Sequence, residues 1–147
     1  MVIDVEVVVD RPLAQTFGVF MDVSRMSEWV SGFQRMEPIS GTPHTPGSKY
    51  RIFLLENGRE VEQIETVTSV DSDKLFAIFS DQKTIQSKTE IHFSREIDHT
   101  RISARTDVRT KTILWKFLLP LLKSHISRQQ QSGYRKLKRI IETEPFR

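Results

Sequence analysis

From residue 49 to residue 110 the chain alternates apolar and polar side chains in one segment after another, with only a few residues between segments. Alternation at period two marks half-buried β-strands. Parallel neighbours need a crossover of about a dozen residues or more, so connections this short dictate antiparallel pairing. Residues 84–96 carry the clearest pattern. Ile85, Ser87, Thr89, Ile91 and Phe93 share one side, and Gln86, Lys88, Glu90, His92 and Ser94 share the other. The following strand sets Ile102, Ala104, Thr106 and Val108 inward. Upstream, KYRIFLLE places Tyr50, Ile52 and Leu54 together, and Asn57-Gly58 is a two-residue hairpin signal. The alternation over 59–70 is imperfect, which points to a bulge. Asp71-Ser72-Asp73 makes a turn, and LFAIF (75–79) follows as a strand. With a short strand at Gln34–Ile39, these form a six-strand meander.

Ile3, Val5, Val7 and Val9 predict one more strand, which joins the meander at its edge. Asp10 is placed to cap a helix with Pro12 in its first turn, where no amide donor is missed. Leu13, Phe17, Phe20 and Met21 give that helix an apolar face. Ser24 is placed to cap a second short helix through RMSEWV. The segment SGTPHTPG (40–47) reads as punctuation.

A sheet with one apolar face needs a cover, and only ILWKFLLPLLKSHISRQQQSGYRKLKRII (113–141) is large enough. Trp115, Leu119, Leu122, Ile126, Gln130, Gly133, Leu137 and Ile141 recur at helical spacing, with most Lys and Arg off that stripe. Its apolar start is too short to span a bilayer, which takes roughly 20 apolar residues. Pro120 cannot donate to the carbonyl of Lys116, so it kinks the helix or splits off a short lead-in. Two features of the buried surface are unusual. Gln129, Gln130 and Gly133 stand where a solid core would hold Leu or Ile, and Ser87 and Thr89 face inward from the sheet. Two readings follow. Either helix and sheet enclose a cavity, or the core is solid with a few satisfied polar groups.

The 147 residues fit one domain, 1–147. The absence of cysteine excludes disulfides and thiolate chemistry. No P-loop, dinucleotide fingerprint or serine elbow occurs. His44, His92, His99 and His125 lack metal-ligand spacing and read as surface residues, so no metal and no cofactor is expected. MVIDVEVVVD is not a signal peptide, and a cytoplasmic location is the expectation. Residues 1–110 hold 13 Lys and Arg against 17 Asp and Glu, whereas residues 111–147 hold 9 against 2. The basic character therefore belongs to the C-terminal helix, and its outer face reads first as solvated. Transient contact with an anionic membrane, helped by the apolar ILWKFLLPLL lead-in, is the next reading. Nucleic acid is disfavoured, because no aromatic-and-basic platform accompanies the charge.

The stretch DRPLAQTFGVFMDVSRMSEWVSGF (10–33), with Arg11-Pro12, Phe17 and Trp29, resembles the START-like (SRPBCC) superfamily, particularly its polyketide cyclase/dehydratase and lipid-transport branch. Ser40-Gly41 through Pro46-Gly47-Ser48 and the closing KLKRIIE are similar to it as well. The resemblance covers essentially the whole chain. It implies an α+β helix-grip fold, a seven-stranded antiparallel sheet wrapped around a long C-terminal helix with two short helices after the first strand. It also implies a deep, largely apolar cavity for a lipid, polyketide or quinone-like molecule. No catalytic constellation is shared across the superfamily, so none is carried over.

The first functional reading is carriage of a small hydrophobic ligand. Tyr50, Ile52, Phe79, Ser87, Thr89, Ile91, Trp115, Leu122, Ile126 and Gln130 would line the cavity, with Trp29 and Phe33 flanking Gly32 near its mouth. The alternative is a cyclase or dehydratase in the same space, with Tyr50, Glu65 or His125 assisting by acid–base chemistry. Core packing for Tyr50 and exposure for Glu65 and His125 are the competing readings. A third reading makes the basic helix a membrane- or partner-docking element.

Overall fold

The computed structural model describes residues 1–147. Seven strands form one antiparallel sheet: β1 (Val2–Val9), β2 (Phe33–Ser40), β3 (Lys49–Glu56), β4 (Arg59–Asp71), β5 (Leu75–Asp81), β6 (Ile85–Glu96) and β7 (His99–Thr110). Their order is β1-β7-β6-β5-β4-β3-β2, a meander with β1 added beside β7. Two short helices, α1 (Leu13–Met21) and α2 (Met26–Trp29), link β1 to β2, and α3 (Ile113–Glu142) closes the chain. This is the helix-grip arrangement, in the α+β class. The β4 bulge falls between Val67 and Ser69. It shifts the parity of the strand, so Val67 and Val70 both reach the core side.

Several local expectations are corrected. Asp10 does not cap α1, which starts at Leu13 with Pro12 in the cap position and no side-chain hydrogen bond. The Asp10 carboxylate lies 2.9 Å from His99 Nδ1, and its backbone N–H donates to Glu142 Oε2 at 2.7 Å. Ser24 is not a cap either. Asp22 Oδ1 accepts from Ser24 N and Oγ, which tightens Val23–Arg25 into a 3₁₀ turn before the single turn of α2. His99 opens β7. Pro120 does not split α3, which runs unbroken for 30 residues, about 45 Å at 1.5 Å per residue.

The two halves of α3 are held differently. Leu137 and Ile141 are fully buried in one core cluster with Val5, Val7 and Val9. Lys138 Nζ donates to the Val8 carbonyl at 2.8 Å, and Gln131 Nε2 donates to the Glu6 carbonyl at 3.1 Å. Arg11 donates to the carbonyls of Glu142 and Glu144, and Gln15 to that of Pro145. Before residue 126, only Leu119 of α3 is buried. No helix of the structure is long and apolar enough to cross a membrane.

α1 docks on the sheet through aromatic edges, the geometry that ring quadrupoles favour. Phe17 and Phe20 meet Phe93 at 5.0 and 5.1 Å, and Phe20 meets Phe76 at 5.4 Å. This cluster closes one end of the space beneath α3.

Candidate functional site

Between α3 and the inner faces of β3 to β7 lies a cavity of about 540 Å³. Ligand pockets span roughly 300–1,000 Å³. α3 contributes Trp115, Leu119, Leu122, Ile126 and Gln130, and the helix–sheet junction contributes Phe20, Met26 and Trp29. Glu56 and Asn57 of the β3–β4 hairpin, Ser31 after α2, and His125 and Gln129 of α3 are both lining and exposed. They form the mouth.

The sheet wall is not uniformly apolar. Strand register aligns Tyr50, Glu65, Ser80 and Ser87 in one row across β3 to β6. Gln63 and Gln82 stand beside that row toward the mouth, and Thr89 and Thr106 stand on its other side, with hydroxyls 3.2 Å apart. Gln82 Nε2 donates to Gln63 Oε1, and Gln63 Nε2 donates to Glu65 Oε2, both at 2.6 Å. A polar seam thus runs from the β5–β6 turn to a buried carboxyl.

Glu65 is 7 % exposed. Burial pushes its carboxyl up from the ordinary value of 4.5, and the neighbouring polar groups of Tyr50, Gln63 and Ser80, of which Gln63 makes the well-formed hydrogen bond, oppose this without cancelling it. A carboxyl that keeps its proton offers an O–H donor as well as an acceptor. Tyr50 shares the inner face with Glu65 but does not line the cavity, and it is fully buried. Burial raises its phenol well above the ordinary range, and the adjacent Glu65 raises it further. Its hydroxyl sits beside Glu65 but completes no well-formed hydrogen bond. Tyr134 of α3 lines the cavity, its phenol likewise raised by burial and then by Glu65.

Most residues expected at the cavity are placed there: Trp29, Ile52, Ser87, Thr89, Ile91, Trp115, Leu122, Ile126 and Gln130 line it, as do Glu65 and His125. Three are not. Phe79 points to the opposite side of β5, where it pairs with Thr66 and Lys88, and its neighbours Ile78 and Ser80 line the cavity. β5 is apolar on both faces at Phe76–Phe79, so hydrophobicity did not disclose its parity. Phe33 begins β2 outside the lining, and Tyr50, on the inner face beside Glu65, is also outside it. Trp29 lines the wall while packing on Phe20 and Tyr134 at 5.5 and 5.8 Å.

Sequence reasoning missed His44. It is 7 % exposed, not a surface residue. The punctuated loop folds inward, and Nδ1 lies 3.0 Å from the Met21 carbonyl, which can only accept, so Nδ1 carries the hydrogen. The ring meets Phe76 and Tyr50 edge-on at 5.0 and 5.9 Å. Burial lowers its pKa against the opposing hydrogen bond to Met21. Only its φ of +67° betrays the tight fold, and that has no sequence signature. Gly133 has a second role besides yielding volume. A Cβ there would meet the Trp29 carbonyl at 3.3 Å, so the glycine lets α2 approach α3.

The profile of the family "Polyketide cyclase / dehydrase and lipid transport" matches residues 1–142. The chain belongs to this family. Solved structures agree on the fold. The Zhui aromatase/cyclase from Streptomyces sp. R1128 superposes with a TM-score of 0.81 at 12 % identity, covering 97 % of this chain and 93 % of that one. A START superfamily protein from Mycobacterium smegmatis gives 0.79 at 13 % identity, covering 97 % of each. The protein TTHA0849 from Thermus thermophilus gives 0.78 at 14 %, covering 97 % and 98 %. No curated protein matches by sequence. Membership of the polyketide cyclase/dehydrase and lipid transport family is consistent with binding hydrophobic molecules and with cyclase-type roles. Fold alone chooses neither.

Proposed function

We propose that the protein binds and carries a small, mainly hydrophobic molecule that bears oxygen functions along one edge. The observation that carries this reading is the two-sided cavity. One wall is Trp29, Trp115, Leu119, Leu122 and Ile126, and the facing sheet wall carries the Glu65–Ser80–Ser87 seam between apolar side chains such as Ile52, Ile78 and Ile91. Apolar contact supplies most of the affinity, and the seam sets orientation. A plain alkyl chain would leave these polar groups unpaired, which costs free energy. A quinone-like or polyketide-like molecule would pair them.

Native mass spectrometry of the purified full-length chain tests this. The expected result is a mass increment that organic solvent removes, identified in the extract as an oxygenated hydrophobic compound. An unliganded mass, together with no binding of an environment-sensitive apolar dye that the Gln130→Phe substitution abolishes, would overturn it.

A cyclase or dehydratase is the second reading, and the buried Glu65 favours it. Burial favours the protonated form of this carboxyl, and that form can donate to a ligand carbonyl and polarise it for aldol closure, with Tyr134 facing the same space. Glu65→Gln separates the two readings. Under carriage, ligand retention persists and no turnover is lost. Under catalysis, retention persists and turnover on poly-keto substrates disappears.

A further inference from the structure

The first turns of α3 are apolar on two sides. Trp115, Leu119 and Leu122 face the cavity. Ile113, Leu114, Phe117 and Leu121 do not line it, and their exposures are 77, 65, 71 and 79 %. They are spaced one, three and four residues apart, so they share the outward face. That face turns charged further along, at Arg128, Arg135 and Arg139. A cluster of four large, mostly exposed apolar side chains on one face marks an interaction surface, whereas scattered single ones do not. Lys116 and Lys123 flank the cluster and close no ion pair: Asp4 of β1 feels the charge of Lys123 but is paired with Arg105, and α3 contains no acid before Glu142.

We propose that this face docks on an anionic lipid bilayer and lies in its interface. The charge pattern selects the partner. A second copy laid on the same face would bring four lysines together with no acid on either helix face to answer them. Anionic headgroups accept lysine at the rim while the aliphatic and phenyl groups sink below. From Ile113 to Leu121 the run spans about 12 Å, so the helix lies in the surface and does not cross. Leu121 stands one turn before His125, a mouth residue. Docking therefore sets the cavity mouth at headgroup level, where an apolar molecule can pass between bilayer and cavity without crossing water. That last consequence rests on the carrier reading, but the docking itself does not.

Flotation with phosphatidylcholine vesicles, with and without phosphatidylglycerol, tests the proposal on the full-length chain. The wild type floats with the mixed vesicles and not with phosphatidylcholine alone. Phe117→Ser with Leu121→Ser lowers partitioning roughly tenfold or more. Lys116→Glu with Lys123→Glu removes the preference for phosphatidylglycerol. Both variants keep the far-ultraviolet circular dichroism and the ligand increment of the wild type, since none of these side chains lines the cavity. Equal flotation of wild type and the serine variant, or no flotation of wild type, overturns the proposal. So does a concentration-dependent dimer, abolished by the serine variant, with no vesicle binding; a second copy would then be the occupant. Loss of the ligand increment in wild type would count against the carrier reading alone.

Discussion

Glu65 and Tyr50 are cross-strand partners on the inner face of the β3–β4 pair, and burial opposes ionisation of both. The carboxyl keeps its proton above the ordinary range, and the phenol keeps its own through any physiological pH. For the most buried acid of the cavity, burial thus favours the protonated form, which can donate as well as accept.

The first prediction concerns the pH dependence of stability. The unfolded carboxyl ionises near 4.5, while the folded one resists. Below that value both states are protonated and Glu65 costs nothing. As pH rises from about 4.5 toward the folded pKa, the unfolded state gains ionisation that the folded state lacks, so stability falls. The slope is at most about 1.4 kcal/mol per pH unit. Glu65→Gln should flatten this part of the curve and stabilise the protein at neutral pH. Urea unfolding across a pH series measures it. Parallel curves for wild type and variant would show that Glu65 titrates normally.

His44 makes the opposite contribution. Its folded pKa is lowered from 6.5, mainly by burial. Stability from the neutral ring is present above about 6.5 and lost as pH falls below it toward the folded pKa, because the unfolded state protonates first. The difference in unfolding free energy between wild type and His44→Asn should shrink on acidification through that window. A difference independent of pH would place the imidazole in contact with water.

The meander, the edge position of β1 and the covering helix were legible because period two and period 3.6 are backbone facts that side chains must obey. The site was legible only where parity was unambiguous. Ser87 and Thr89 stand in a strand whose other face is plainly polar, so their inward direction was readable. Phe79 and Ser80 were not, because β5 is apolar on both faces and only pairing with β4 and β6 sets its phase. His44 was hidden because a loop with two prolines and two glycines reads as surface, and its inward fold depends on contacts with Met21 and Phe76. The apolar lead-in of α3 was legible as a candidate aid to membrane contact, but not its division into an inward side with Trp115 and Leu119 and an outward side with Phe117 and Leu121, because a run that is apolar throughout has no readable phase.

Filling the cavity should separate binding from folding. Gln130 is half-buried on α3 and lines the space. Gln130→Phe replaces a buried amide with a ring that occupies ligand volume. Stability should hold or rise by up to about 1 kcal/mol, while ligand or apolar-dye binding falls roughly tenfold or more. Thermal unfolding and dye titration give the two readouts. Unchanged binding would move the ligand away from the middle of α3.

Gly32 connects the mouth to the fold. Its φ is +73°, and a Cβ there would collide with the Leu55 carbonyl of the β3–β4 hairpin. The approach is that close because Leu55 N donates to the Gly32 carbonyl at 2.7 Å. Left-handed backbone costs an ordinary residue about 1–2 kcal/mol before any collision, and neither strand can retreat without breaking that hydrogen bond. Gly32→Ala should therefore destabilise the protein by about 2–4 kcal/mol. It should also move Glu56 and Asn57 at the mouth, weakening ligand retention in the fraction that remains folded. Urea unfolding measures the first effect and native mass spectrometry the second. A loss under about 0.5 kcal/mol, the range of neutral surface substitutions, would mean that the α2–β2 connection does not lean on the hairpin.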